Sequence, residues 1–295
     1  MQCLPVICPD TSVHNRMMKD GLESGAVFDA LKSRYFVRLM GLSVEELIAT
    51  PETATRLSLL GSASKLLDGP SDCLYPPHEV MRMLASAYEA DPLGFDWLSV
   101  DVSAPGYADE VRSRELSSSD EVALAMAQYI YETKKDFKAM WRRVRPEVEP
   151  IFQRDHEPRP SKLSEVIPHA VADNGLYWSI AKDFYARAAG TPASDAKIHD
   201  FAERCPPFRS AIFAMIMPWY HVTLRDWNGG ERFDCGRNDL LMACYLPYAD
   251  EFISAEKDGA QEKCLAEIAR LAGVKTTVRS YDDFCASLTV LPSVA

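Results

Sequence analysis

"EFISAEKDGAQEKCLAEIARLAGVKTTVRS", residues 251 to 280, decides how the chain is read. "EFIS" is a short apolar piece of the kind that forms a strand. "GAQEKCLAEIARLAG" has helical spacing and closes on Gly273, a residue at ease in the left-handed turn that ends a helix. "VKTTVRS" then returns to alternation. A strand, a helix and a strand in that order predict a parallel βαβ unit.

The other end of the chain supplies its counterpart. "LPVICPDTSV", residues 4 to 13, reads as an apolar strand running into Asp10, with Thr11 and Ser12 able to cap a following helix. Residues 26 to 33 look helical, and "YFVRLMGL" has the aromatic and branched content of a second strand. In "SVEELIAT", Ser43 and Glu46 stand at capping-box spacing, which predicts a helix opening there. The two ends are therefore expected to share one parallel sheet in an α/β fold.

Between them the pattern changes. "EVMRMLASAYEA", "DEVALAMAQYIYETKKDFKAMWRRV" and "PFRSAIFAMIMPWYHVTLRDW" all repeat apolar residues at helical spacing, and "QRDHEPRPSKLSE" is the most linker-like piece. The expected layout is an α/β first part over residues 1–72, an all-helical insertion over 73–229, and an α/β second part over 230–295.

At 295 residues, 47% hydrophobic and 25% charged, the composition is globular. A net charge of -11 argues against a chain that coats nucleic acid or an anionic membrane, although a local basic strip can still guide a phosphate backbone. The longest apolar run, "AIFAMIMPWY", is far below the ~20 residues that span a bilayer. No basic segment followed by a long apolar one opens the chain, so no signal peptide is expected. The eight cysteines contain no C-x-x-C pair and read as buried thiols of a reducing cytosol. A soluble, cytoplasmic protein with no membrane partner is expected.

Glycine-rich phosphate loops, H-E-x-x-H and G-x-S-x-G are absent, and the six histidines are widely spaced. What remains is carboxylates. Asp10 follows the first strand, Glu46 lies just inside the helix after the second, and Glu256 follows "EFIS". Asp239 begins the helix before that strand and can reach the same edge. Ligands gather beyond the carboxyl ends of parallel strands, and acids converging there repel one another unless a cation neutralises them. Mg²⁺ or Mn²⁺ suits such an oxygen set.

The order D-T-S at 10 to 12, E-L at 46 and 47, N-D-L-L-M-A at 238 to 243 and S-x-E at 254 to 256 resembles the PIN domain of metal-dependent ribonucleases. The likeness covers about residues 1–72 and 230–295. It implies a Rossmann-like three-layer parallel sheet and hydrolysis of RNA phosphodiesters by metal-activated water. It also implies catalytic and metal-holding roles for Asp10, Glu46, Asp239 and Glu256, with Ser12 and Ser254 orienting a carboxylate or a phosphate oxygen. The likeness to toxin-type nucleases suggests an inhibitory protein partner. The family more usually carries T-x-D at the fourth acid, so Asp258 stands as a substitute for Glu256, as Glu45 and Glu79 do for Glu46.

Each acid has a second reading as an ordinary helix-end charge: a cap at Asp10, a capping-box acid at Glu46, first-turn acids at Asp239 and Glu256. "KKDFKAMWRRVRP" offers Lys134, Lys138, Arg142 and Arg143 for RNA or another single strand, or else a solvated helix face. Two other functions stay open: an inactive PIN-like binding module, and a helical scaffold for protein interaction.

Overall fold

The computed structural model describes residues 4–22, 24–155, 167–168, 170–172, 175–223, 237–256 and 260–289. The first part holds β1 (Val6–Pro9), α1 (Thr11–Lys19), α2 (Ala26–Arg34), β2 (Phe36–Val37), β3 (Leu39–Met40), α3 (Gly41–Ile48) and α4 (Thr53–Leu66). After β4 (Cys73–Leu74) come α5 (Pro77–Ala90), α6 (Pro105–Ser113), the long α7 (Asp120–Asp155), α8 (Leu176–Ala189), α9 (Asp195–Arg204) and α10 (Pro206–Thr223). The last part is α11 (Arg237–Leu241), a 3-10 stretch Met242–Tyr248, β5 (Glu251–Ser254), α12 (Ala260–Ala272), β6 (Thr277–Ser280) and α13 (Tyr281–Thr289).

The expected sharing of one sheet by both ends is what forms. The order is β2-β1-β5-β6, all parallel, with Ile7 opposite Glu251, Cys8 opposite Phe252 and Pro9 opposite Ile253. Pro9 has no N–H to give, and the ladder resumes when the Asp10 N–H donates to the Ile253 carbonyl at 3.0 Å. Strand side chains alternate between faces, so neighbours in β1 and β5 enter different cores. Ile7 and Ile253 join Leu47, Leu59 and Leu60 of α3 and α4. Cys8 and Phe252 join Phe208 and Ile212 of α10 and Leu265 and Ile268 of α12. The fold is mixed α/β with a small parallel sheet, and helices from the middle of the chain pack directly on one of its faces.

Three local expectations are corrected. "YFVRLMGL" does not form one strand: after Arg38, whose N–H still donates to the Ile7 carbonyl at 2.9 Å, the chain turns away and Leu39 and Met40 pair with Cys73 and Leu74 instead. The capping box does not form either. β3 runs straight into α3, which starts at Gly41 with Met40 as its cap. Ser43 is thereby drawn into the helix, buried, and its Oγ has no hydrogen-bond partner among the described residues. An early start is possible because Gly41 has no Cβ: one placed there would lie 2.6 Å from the Pro76 nitrogen and 2.8 Å from the Leu74 oxygen. Finally, the helix expected from Asp239 to Tyr245 is α-helical only to Leu241. It continues in 3-10 geometry over Met242–Tyr248, a stretch that contains Pro247.

Arg56 of α4 is fully buried and holds three connections at once. Its guanidinium donates to the Thr50 carbonyl at 2.7 Å, to the Ser117 carbonyl at 2.7 Å and to Asp120 Oδ1 at 2.6 Å, fixing the start of α7 against α4. Cys8, Cys73 and Cys205 are buried thiols that burial pushes up to about 12, so they stay protonated and inert. Among the described residues no helix is long and apolar enough to cross a membrane. The linker-like piece at 153 to 165 lies almost wholly outside the described residues.

Candidate functional site at the carboxyl edge of the sheet

β1 passes through α1 and α2 to β2 on one side, whereas β5 lies on the other side of β1. A reversal of this kind leaves a crevice between the carboxyl ends of the two central strands, the usual ligand position in an open α/β sheet. Asp10 follows β1, and Ser254, Ala255 and Glu256 end or follow β5, so these residues lie at the carboxyl ends of the two paired strands.

Asp10 is buried. It caps α1, accepting from the Val13 N–H at 2.9 Å, and the Ser12 hydroxyl donates to the same Oδ1 at 2.6 Å. Ser12 Oγ in turn accepts from the Ala255 N–H at 2.8 Å, which ties the end of β1 to the end of β5. The Ser254 hydroxyl donates to Gln261 Oε1 at 2.7 Å, accepts from the Glu256 N–H at 3.4 Å, and lies close enough to the Asp10 carboxyl to favour its charged form. Burial pushes the Asp10 carboxyl up to about 7, against the bonds from Ser12, Val13 and Ser254, and the charge of Glu256 adds to the rise. Glu256 itself is exposed.

Glu46 reaches the same region from α3. Because the capping box does not form, its carboxylate is spent elsewhere: Oε2 accepts from the Thr11 hydroxyl at 2.7 Å, and Oε1 from Asn238 Nδ2 at 3.0 Å. Lys134 of α7 stands 3.4 Å from Oε1. Asp239 follows Asn238 in the first turn of α11 and is partly buried. Glu46 is thus joined to the residue after Asp10 and to the residue before Asp239. Among the described residues, however, no three His, Cys, Asp or Glu side chains stand close enough together to form a ready metal cluster.

Glu45, the substitute for Glu46, faces a different way. Its buried carboxylate accepts from Tyr107 Oη at 2.9 Å, and burial raises its pKa against that bond. Glu79 is taken up by Arg82, 2.6 Å away. Asp258 lies outside the described residues, as do the side chains of Lys138 and Arg142, while Arg143 is exposed on α7.

Sequence reasoning missed Thr11, Asn238 and Lys134 as partners of Glu46. The first two sit within the quoted motifs, one position from an acid, and a polar residue beside a candidate ligand was the available signal. Lys134 is separated from Glu46 by 88 positions, and no local pattern reveals such a pairing. Comparison with known proteins finds no matching family model, no matching curated protein and no matching solved structure.

Proposed function

We propose that the chain is a metal-dependent endonuclease of the PIN-like class, acting on RNA in the cytoplasm, with its sheet at the centre of a Rossmann-like three-layer fold. The observation that carries this reading is the meeting of Asp10, Glu46, Asn238 and the end of β5 at the switch between β1 and β5, brought from four separate segments. Helices packed on both faces of the sheet support the three layers.

The donor set suits Mg²⁺ or Mn²⁺: it is all oxygen, and a buried carboxyl raised to about 7 is a group that a nearby cation would return to its charged form. Asp10, Glu46, Asp239 and Glu256 would hold such an ion, which when bound supplies Lewis acidity toward water and phosphate. The chain's own polar groups do the positioning. Ser12 and Ser254 fix the Asp10 carboxyl, and Thr11 and Asn238 fix that of Glu46. Lys134 sets a positive charge beside the edge, where it can meet the charge that builds on a phosphate oxygen.

A specific observation favours a second reading, a PIN-like module that binds without cleaving. Glu46 is already satisfied by Thr11, Asn238 and Lys134, as a retired ligand would be. Calorimetric titration of Mn²⁺ separates the two readings, with Asp10→Asn and Asp239→Asn as controls. The nuclease reading expects binding that both substitutions weaken, and cleavage of single-stranded RNA that falls by at least about 10- to 100-fold, the loss that even outer-shell partners of a metal give, when the principal ligand is removed. Equal Mn²⁺ binding by all three proteins, or cleavage that survives Asp10→Asn purified in parallel, overturns it.

A further inference from the structure

A cavity of about 590 Å³ opens beside the acidic edge, between α3, α5, α7, α8, α10 and α11. Its size falls within the roughly 300–1,000 Å³ of ordinary ligand pockets. The edge and the cavity share a wall. Asn238 lines the cavity while its Nδ2 donates to Glu46. Glu45 lines it too, one residue from Glu46, and so does Thr133, one residue from the lysine that pairs with Glu46.

The lining has an unusual charge for this chain. Arg143, Arg187 and Arg237 line the cavity together with Glu45 and Asp136, an excess of one positive charge among the lining residues in a protein whose net charge is -11. Arg187 keeps an exposed partner, Asp183, at 2.8 Å, and the charge of Arg237 acts on Glu45. The rest of the wall is largely apolar and includes the flat rings of Tyr129, Phe137 and Phe184. Arginine forks match phosphate oxygens, and aromatic faces accept any base.

We propose that this cavity is a nucleotide subsite for single-stranded nucleic acid, in which one base lies against the aromatic wall and its phosphate faces the arginines. The strand then continues across the shared wall, bringing the neighbouring phosphodiester to Asp10 and Glu46. A single strand fits best because a cavity of about 590 Å³ has room for one unstacked base and not for a duplex. The choice of nucleic acid rests on the nuclease reading, but binding at the subsite is separable from cleavage at the edge.

The test is fluorescence anisotropy of a short labelled single-stranded RNA in excess chelator, so that no metal-dependent cleavage intervenes. Wild type is compared with Arg143→Ala, Arg187→Ala and the double variant; both arginines are exposed, which keeps the fold intact, and melting curves check this. Wild type is expected to bind, with the double variant at least about ten times weaker and the slope of log affinity against log salt shallower by roughly 0.7 for the one phosphate the arginines hold. Adenosine monophosphate is expected to displace the RNA at lower concentration than inorganic phosphate does. Absence of wild-type binding, equal binding by the double variant, or equal displacement by phosphate alone overturns the subsite. Cleavage by wild type in Mn²⁺ with unaltered binding by the double variant removes the subsite and leaves the nuclease. Arginine-dependent binding with no cleavage removes the nuclease and leaves the subsite.

Discussion

At Asp10 one carboxyl caps a helix, takes a hydroxyl bond from Ser12 and sits almost without solvent, while Glu256 adds a like charge nearby. In the unfolded chain this acid ionises near 3.8, and in the fold near 7. A raised acid favours the folded state fully below the lower value, and that contribution is lost as pH rises through the upper one. A rise of this size corresponds to about 4 kcal/mol at most of strain above pH 7. Asparagine keeps the shape and the cap acceptor but carries no charge. Asp10→Asn is therefore expected to unfold at higher temperature than wild type at pH 8, with the gap closing toward pH 4; scanning calorimetry across that range measures it. His14 works in the opposite sense. Burial lowers it to about 4, so its contribution is present above about 6.5 and lost as pH falls toward 4. With both groups present the stability of wild type should be flatter across pH 4 to 7 than that of Asp10→Asn, which retains only the histidine's acid sensitivity.

Among the elements, α3 places Glu46 and α7 brings Lys134 to it, so the site depends on how these two helices are anchored. α3 is seated by the close approach of Gly41 to Leu74 and Pro76. Gly41→Ala places a methyl against backbone, and overpacking of this kind costs about 1–3 kcal/mol. The chemical denaturation midpoint is expected to fall and, on the nuclease reading, Mn²⁺ affinity with it, because Glu46 moves with the helix. α7 is anchored at its start by Arg56, whose donors reach three carbonyls, the Thr53 hydroxyl and Asp120. Arg56→Met leaves buried acceptors unpaired at roughly 1–3 kcal/mol each, and lysine cannot replace a five-donor fork. Both substitutions are expected to lower the urea midpoint, methionine the more.

For the whole molecule, the nuclease reading makes stability depend on metal. A ligand that binds only the folded state stabilises it by about 2.7 kcal/mol at a hundred times its dissociation constant. Mn²⁺ is expected to raise the melting temperature of wild type and to leave that of Asp10→Asn nearly unchanged; a thermal shift titration reads both. The cation also relieves the penalty at Asp10, so the shift should be larger at pH 8 than at pH 5.

The sequence by itself determined what depends on neighbours in the chain. The apolar strands at Val6–Pro9 and Glu251–Ser254, the helix closed by Gly273 and the helical middle were all legible, because backbone periodicity and capping are local. The meeting of the two chain ends followed from the rule that βαβ units build parallel sheets. Only the tertiary structure decided the rest. It broke "YFVRLMGL" between two sheets, started α3 before the capping box could form, and bound Glu46 to Thr11, Asn238 and Lys134. Each of these is set by a contact between residues far apart in sequence, where packing against Leu74 and Pro76 or a charge across 88 positions outweighs a local preference of about 1 kcal/mol.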